Sequence, residues 1–386
     1  MKMLISEIFE FVRNGFNAKH QINGGGVPIT RIETISDATI NLAKVGYAGI
    51  SKSEAEKYML KDGDILFSHI NSVSHIGKCA IYKREFGDLV HGMNLLCFRP
   101  NAEKINPNYA LHLIRSNQFR VQLAKSIKKA VNQASVSTGD IKKIVLDVPS
   151  LEEQERITAL LDTADGVTRL RDASIQKLEK ISNSILKNYL TESENIESIK
   201  TLGEICDVRD GTHASPKYVN DGIPLVTSKN LKNGFVDLTD VNLISIEDFL
   251  EINRRSKVDC GDILMPMIGT IGNPVVVEEE NPMYAIKNVA LVKQLPCSPS
   301  PAYLKAFLES DEFRAYVAKV SRGGTQKFLG LGDIRALKIP LLNKDIENQF
   351  LELSKEINSL RKKYIAYSLR IDAVVSSLQH QSFAVN

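Results

Sequence analysis

No Cys-x-x-Cys pair stands anywhere in this sequence of 386 residues. Its five cysteines (Cys79, Cys97, Cys206, Cys260 and Cys297) are scattered. That spacing argues against a zinc ligand set or a disulfide framework and leaves buried, reduced thiols as the expectation. The seven histidines (His20, His69, His75, His91, His112, His213 and His380) show no metal-ligand spacing either. No Gly-x-x-x-x-Gly-Lys-Ser/Thr loop is present, so a P-loop nucleotide site is not expected, and Gly24-Gly25-Gly26 reads as a flexible loop. No apolar run is long enough to cross a membrane. The opening stretch Met1–Val12 carries Glu7 and Glu10 among its apolar residues, unlike a signal peptide. The expectation is an intracellular chain with no metal or cofactor of its own and no catalytic site.

What is present is a repeat. Gly63-Asp64-Ile65-Leu66 recurs as Gly261-Asp262-Ile263-Leu264, and Ile76-Gly77 as Ile271-Gly272. Tyr109 and Phe119-Arg120 recur as Tyr303 and Phe313-Arg314, and Gly139-Asp140-Ile141 as Gly332-Asp333-Ile334. Near the front, Glu7-Ile8, Val12-Arg13 and Val27-Pro28 match Glu204-Ile205, Val208-Arg209 and Ile223-Pro224. The order is kept throughout, so the chain is one module duplicated in tandem. A module present twice points to a ligand with two related halves. The histidines have no matched partners between the copies, so chemistry resting on them would belong to one copy only. The hydrophobic fraction of 43% and charged fraction of 25% are ordinary for a globular protein long enough for two cores. A net charge of +3 permits a nucleic-acid partner without demanding one.

Each copy has the same plan. Short strand-like runs come first: Asp64–Phe67, Ala80–Tyr82, Asn94–Phe98 and Val275–Val277, punctuated by turn residues. A helix follows at Pro107–Ala124 and at Pro301–Val320, each with proline at its front. A long helix closes each copy. Leu151–Leu190 contains no proline and one glycine, Gly166, with apolar residues at Ile157, Leu160, Ala164, Val167, Leu178, Ile181 and Ile185 and a polar break at Arg171 and Ser174. The second helix carries Ile346, Phe350, Leu353, Ile357, Leu360, Tyr364, Tyr367, Ile371, Val374 and Leu378, in steps alternating between four and three. That heptad seam predicts a partner helix, and the helix at 151–190 is the one available. Ordinary packing of the helix against its own domain is the alternative. The predicted class is α+β: two mixed domains separated by two long helices in an antiparallel coiled coil, related by a pseudo-twofold repeat. The divisions are 1–148, the central helix 149–190, an acidic linker 191–198, 199–340, and the C-terminal helix 341–386.

Asn281-Pro282-Met283-Tyr284 is close to the Asn-Pro-Pro-Tyr tetrapeptide of adenine-N6 methyltransferases. Such an enzyme also needs a glycine-rich cofactor loop well upstream, and none is found, so a turn between strands is the plainer reading. The duplicated layout, with its paired Gly-Asp-Ile-Leu strands and late Gly-Asp-Ile runs, instead resembles the specificity subunit of type I restriction-modification systems. Asp147-Val148-Pro149-Ser150-Leu151-Glu152-Glu153-Gln154 is similar to that family's Pro-x-Leu-x-Glu-Gln opening of the central helix. Ile339-Pro340-Leu341-Leu342 running to Glu347-Asn348-Gln349 is a looser second copy, and Leu202-Gly203-Glu204-Ile205 looks like the family's opening of a recognition domain. The resemblance implies a non-catalytic subunit. Its two recognition domains would each read one half of a bipartite, asymmetric site on double-stranded DNA, and its helices would act as spacer. Two methyltransferase (modification) subunits would dock on it and carry the S-adenosylmethionine, and motor-nuclease (restriction) subunits would join. A methyltransferase fragment and a coiled-coil scaffold that binds no DNA are the other readings.

Candidate DNA contacts fall where both copies place polar or basic residues on matching loops. Lys129 matches Arg322, Asn132 matches Thr325 and Gln133 matches Gln326, with Lys327 beside it. A cation can take a phosphate, and an amide can bond an adenine edge bidentately; a solvated loop is the alternative. Lys78 and Asn273 follow the paired Ile-Gly. Asn94 matches Asn288, although an asparagine before a strand is often a turn residue. Lys19 and His20, Thr212 and His213 with Lys217, and Arg254-Arg255 are copy-specific loops, where domains reading different bases should differ.

Overall fold

A computed structural model of the chain describes residues 1–17, 24–71, 75–130, 133–232, 234–269, 271–321 and 328–383, with the backbone alone at 129, 130, 133 and 369. The chain divides into two compact units. The first comprises residues 1–170 and 369–386, the second residues 171–368.

Glycine is required where each Gly-Asp-Ile-Leu run enters its strand: Gly63 and Gly261 have φ of +87° and +86°, a region that other residues avoid. In the first unit this turn feeds Ile65–Phe67, an inner strand of a four-stranded antiparallel sheet ordered Phe9–Asn14, Leu96–Pro100, Ile65–Phe67, Cys79–Ile81. Alternate side chains serve two cores. Val12, Ile65, Phe67 and Phe98 meet Tyr109, Leu113 and Phe119 of the following helices. Leu66, Ala80 and Cys97 face Ile35, Val45, Leu60 and Leu89. The second unit repeats the order with Cys206–Asp210, Val289–Gln294, Ile263–Pro266 and Val275–Val276. Val208, Ile263, Met265 and Val292 pack on Tyr303, Phe307 and Phe313, while Leu264, Val275 and Leu291 pack on Val226, Val258 and Tyr284. Asn281–Met283 lies between two strands, and the Tyr284 ring is buried in that second core.

The aspartate of each repeat is buried beside a cation from the neighbouring strand. Arg99 grips Asp64 bidentately, Nε to Oδ1 at 2.8 Å and Nη2 to Oδ2 at 2.6 Å. Lys293 Nζ meets Asp262 Oδ2 at 2.6 Å. In both units the same carboxylate accepts a backbone N–H three residues upstream, from Lys61 and from Asp259, at 2.8 Å. Removing Asp64 would strand Arg99, whereas Lys293 also holds Asp259 Oδ2 at 2.9 Å and the Lys257 carbonyl at 3.1 Å.

The helix predicted at Pro107–Ala124 is two helices, Pro107–Arg115 and Asn117–Lys125. The one predicted at Pro301–Val320 is likewise Pro301–Leu308 and Asp311–Val320. The breaks have one cause. Ser116 and Ser310 leave the helical region, and their hydroxyls cap the next helix by accepting from Phe119 N and Phe313 N.

The long helices run Leu151–Thr191 and Lys344–Ser382. Within the second unit Tyr189 stacks edge-on against Phe350, with ring centroids 6.2 Å apart, and Arg361 meets Glu179 at 3.2 Å. One sequence number rises as the other falls, so the two segments are antiparallel. Within the first unit Ile157 and Leu161 share a core with Leu378 and Phe383. The apolar band is wider than the stripe these contacts bury. Ile157, Leu178, Ile185, Ile346, Phe350, Ile357, Ile371 and Leu378 are buried or half-buried. Leu160, Val167, Ile181, Leu353, Leu360, Tyr364, Tyr367 and Val374 are exposed. A helix with one helical partner covers one narrow stripe, and this pattern leaves a second apolar stripe in solvent.

The start of each long helix is tied to its own unit. Gln154, fully buried, accepts from Asn106 N at 2.8 Å and donates to the Lys104 and Pro149 carbonyls at 3.0 Å. In the second unit Glu347 takes this place and accepts from Ser300 N at 2.8 Å. The counterpart of Gln154 is therefore Glu347, and Gln349 is exposed.

Candidate nucleic-acid interface

In the second unit three segments converge just past the end of the first sheet strand. The loop after Asp210 pairs with the turn at Ile286–Asn288: Thr212 N donates to Ile286 O at 3.0 Å, and Asn288 N to Thr212 O at 3.2 Å. The approach requires glycine at 211, where a Cβ would stand 2.2 Å from Ile286 O. The third segment is the C-terminal turn of the helix Ile246–Ser256, which carries Arg254 and Arg255.

Asp210 sits at the centre and is almost fully buried. Its Oδ1 accepts from Arg255 Nη2, and its Oδ2 stands 2.7 Å from His213 Nε2. His213 Nδ1 is 2.7 Å from Asn288 Oδ1. With an oxygen at each ring nitrogen, the site favours the doubly protonated imidazole. The Asn288 amide oxygen and then the Asp210 carboxylate hold it above its ordinary value of 6.5. Around this core, Arg209 Nη1 donates to Arg255 O at 2.9 Å while its own guanidinium pairs with Asp207. Lys287 Nζ bonds Ser215 Oγ at 2.8 Å, Arg254 pairs with Glu251 at 2.9 Å, and Lys217 is exposed. The result is a cationic corner on a buried carboxylate, able to meet a phosphate or a base edge.

The first unit builds the same corner from different residues. Phe16 N donates to His91 O at 2.7 Å and Met93 N to Phe16 O at 3.0 Å, and a Cβ on Gly15 would stand 2.1 Å from His91 O. By this register Asn288 corresponds to Met93 rather than Asn94. Asn14 stands where Asp210 does. His91 is buried, its Nε2 lies 3.0 Å from Leu95 O, and burial pushes it down to about 4, so it is neutral. Phe16 packs edge-on against Tyr58.

The other candidates are dispersed. Lys78 Nζ donates to Ser36 O at 2.9 Å and lines a cavity of about 360 Å³ with Glu33, Ser68 and His75. Asn273, with φ of +52°, lines a different cavity of about 510 Å³ with Glu179, Phe313 and Arg361. Lys129 and Gln133 lie on the paired strands Lys128–Ala130 and Gln133–Ser135. Lys19, His20, Asn132, Arg322, Thr325, Gln326 and Lys327 lie outside the described residues. Sequence reasoning named His213 and Arg255 but missed Asp210, which joins them; the available signal was the exchange of Asn14 for Asp210 between otherwise matching strands. Among the described residues no cluster of His, Cys, Asp and Glu could hold a metal ion, and no helix is long and apolar enough to cross a membrane.

The profile of the type I restriction modification DNA specificity domain matches residues 1–180. The chain is similar to type I restriction-modification specificity subunits. It is 42% identical over 189 residues to the putative MjaX specificity subunit of Methanocaldococcus jannaschii, a match covering 49% of this chain and 44% of that one. It is 26% identical over 191 residues to the EcoKI specificity subunit of Escherichia coli K12, covering 48% and 41%. These matches span less than half the length of those relatives. A fuller match, 22% identical over 408 residues, is to the MjaIX specificity subunit of Methanocaldococcus jannaschii, covering 91% of this chain and 92% of that one. Among solved structures, the type I system S subunit from M. genitalium shares the fold, with a TM-score of 0.57 at 12% identity over 100% of this chain and 96% of that one.

Proposed function

We propose that this chain is the non-catalytic, sequence-specific DNA-binding subunit of a type I restriction-modification complex in the cytoplasm. Residues 1–148 and 199–340 are its two target-recognition domains, each reading one half of a bipartite, asymmetric site. The helical segments 149–190 and 341–386 set the unread spacer and dock two methyltransferase subunits, which bring S-adenosylmethionine; motor-nuclease subunits join to restrict. The observation that carries this reading is one scaffold built twice, with the same sheet order and the same buried ion pair, whose corners carry different side chains. A scaffold repeated with altered corners suits a ligand with two related but unequal halves. The exposed apolar stripe on the long helices, including Leu353, Leu360 and Tyr364, supports the docking role. On the recognition loops, Lys129, Arg322, Lys327, Lys19, His20 and Lys217 serve phosphates, and Asn132, Gln133, Thr325 and Gln326 serve base edges.

A heptad inserted after Asp172 tests the spacer. It lengthens the first long helix by about 10.5 Å and keeps the heptad register. Along DNA that is about three base pairs, at roughly 3.4 Å each. Mapping methylated adenines in cells carrying the variant should show both half-sites unchanged and a longer gap between them. An unchanged gap with methylation intact would remove the spacer role.

A further inference from the structure

We infer that Asp210 is a positioning residue that holds Arg255 and His213 together as a preorganised clamp for one DNA phosphate, and that the grip of the second unit on DNA is therefore tuned by pH. The inference rests on the DNA-binding reading above.

The argument begins with burial. Asp210 is 5% exposed, yet both of its oxygens are spent on groups that are themselves largely in solvent, Arg255 at 69% and His213 at 59% side-chain exposure. A carboxylate that served the core alone would sit beside a largely buried cation, as Asp64 and Asp262 do. Here the buried end faces inward and the cations face water. Among the described residues the remaining N–H groups of the Arg255 fork have no partner, so the guanidinium is anchored at one nitrogen and open at the others. Anchoring removes rotamer freedom before the ligand arrives, which raises affinity for a fixed anion.

The local charge follows from the count. Asp210 is one negative group, and Arg255 and protonated His213 are two positive groups, so the clamp is net cationic only while His213 holds its proton. The other charged groups near it are Lys287 on the 286–288 turn, bonded to Ser215, Arg209 on the adjoining strand, paired with Asp207, Arg254 beside Arg255, paired with Glu251, and exposed Lys217 on the loop after Asp210. Lys287 adds to the cationic field. His213 is held above its ordinary 6.5, so it keeps its proton through that value and loses it at higher pH. A phosphate would draw the titration higher still. Among the described residues the first unit has no such device: Asn14 replaces Asp210, Asn17 stands at the place of His213, and His91 at this corner is buried and neutral.

The test measures binding of the full chain, assembled as it is purified, to a fluorescein-labelled random-sequence duplex at constant ionic strength, from about pH 6 to about pH 9. The wild type should weaken as pH rises, His213→Gln should bind with little pH dependence, and Asp210→Asn should shift the midpoint downward. Arg255→Ala should lose roughly tenfold in affinity on every sequence alike and flatten the log–log salt slope by about 0.9. Both His213→Gln and Arg255→Ala are exposed positions, so they report on binding even if Asp210→Asn misfolds. Binding by the wild type that is flat across this range, or a His213→Gln variant that keeps the wild-type dependence, overturns the clamp and leaves the DNA-binding reading standing. No binding to any duplex at any pH overturns both.

Discussion

The two units spend their histidines in opposite ways on the same corner. In the first, His91 is buried and neutral; in the second, His213 stands in solvent and is held toward its charged form. The backbone beneath is common to both: a glycine pressed against a carbonyl, then a short parallel bridge from the loop to the crossing turn. What stays the same between the copies is therefore what builds the scaffold, and what differs is what faces outward. The buried pairs make the same point from inside. Arg99 has become Lys293, yet both meet the strand-entry carboxylate within 3 Å.

The strongest way to break this comparison is to remove the shared pair. Asp64→Ala should cost about 3–5 kcal/mol, because it strands Arg99, and Asp262→Ala should cost less, because Lys293 keeps Asp259 Oδ2 at 2.9 Å. Urea unfolding followed by circular dichroism should show a loss for both, the larger for Asp64→Ala. A large loss in one unit and none in the other would mean the copies no longer share a scaffold.

Next come the helices. Phe350→Ala should cost about 3 kcal/mol, since its ring packs on both Tyr189 and Tyr303. Leu360→Ala, three turns on and exposed, should change stability by no more than about 0.5 kcal/mol. The pair separates the stripe that folds the chain from the stripe left open. Equal stability losses would show that Leu360 is buried after all.

A smaller effect sharpens the comparison of the helix starts. Gln154→Ala leaves the Asn106 amide without its acceptor and should cost about 1–3 kcal/mol. Glu347→Gln keeps an acceptor for Ser300 N and should be nearly silent in thermal melts. The smallest effect is at the rim: Lys217→Ala should lower DNA affinity on all sequences and reduce the salt slope by about 0.9, with melting temperature unchanged.

Much of the fold is legible in the sequence because its signals are local. Gly63 and Gly261 mark strand entries through their φ angles, and uninterrupted helical pattern marks Leu151–Thr191 and Lys344–Ser382. The breaks at Ser116 and Ser310 escape periodicity because each spans a single residue or two; the capping serine before a buried phenylalanine is the sign that marks them. The heptad pattern finds the helices but not which half of their apolar band is covered, since a period carries no information on how many neighbours a helix has. Glu347 hides because it replaces an amide with a carboxylate and is displaced by two residues relative to Pro340. Asp210 is the least legible. Its meaning lies in Arg255 and Asn288, both distant along the chain, and only the folded corner brings them together.

The central claim is that two like scaffolds read two different half-sites. It is tested most directly by replacing residues 199–340 with the corresponding unit of one of the specificity subunits it resembles and mapping methylated adenines by single-molecule sequencing. The account predicts a bipartite motif in which one half changes while the other half and the spacer remain those of the parent. A motif that changes in both halves, or a single unbroken motif in the parent, would contradict it.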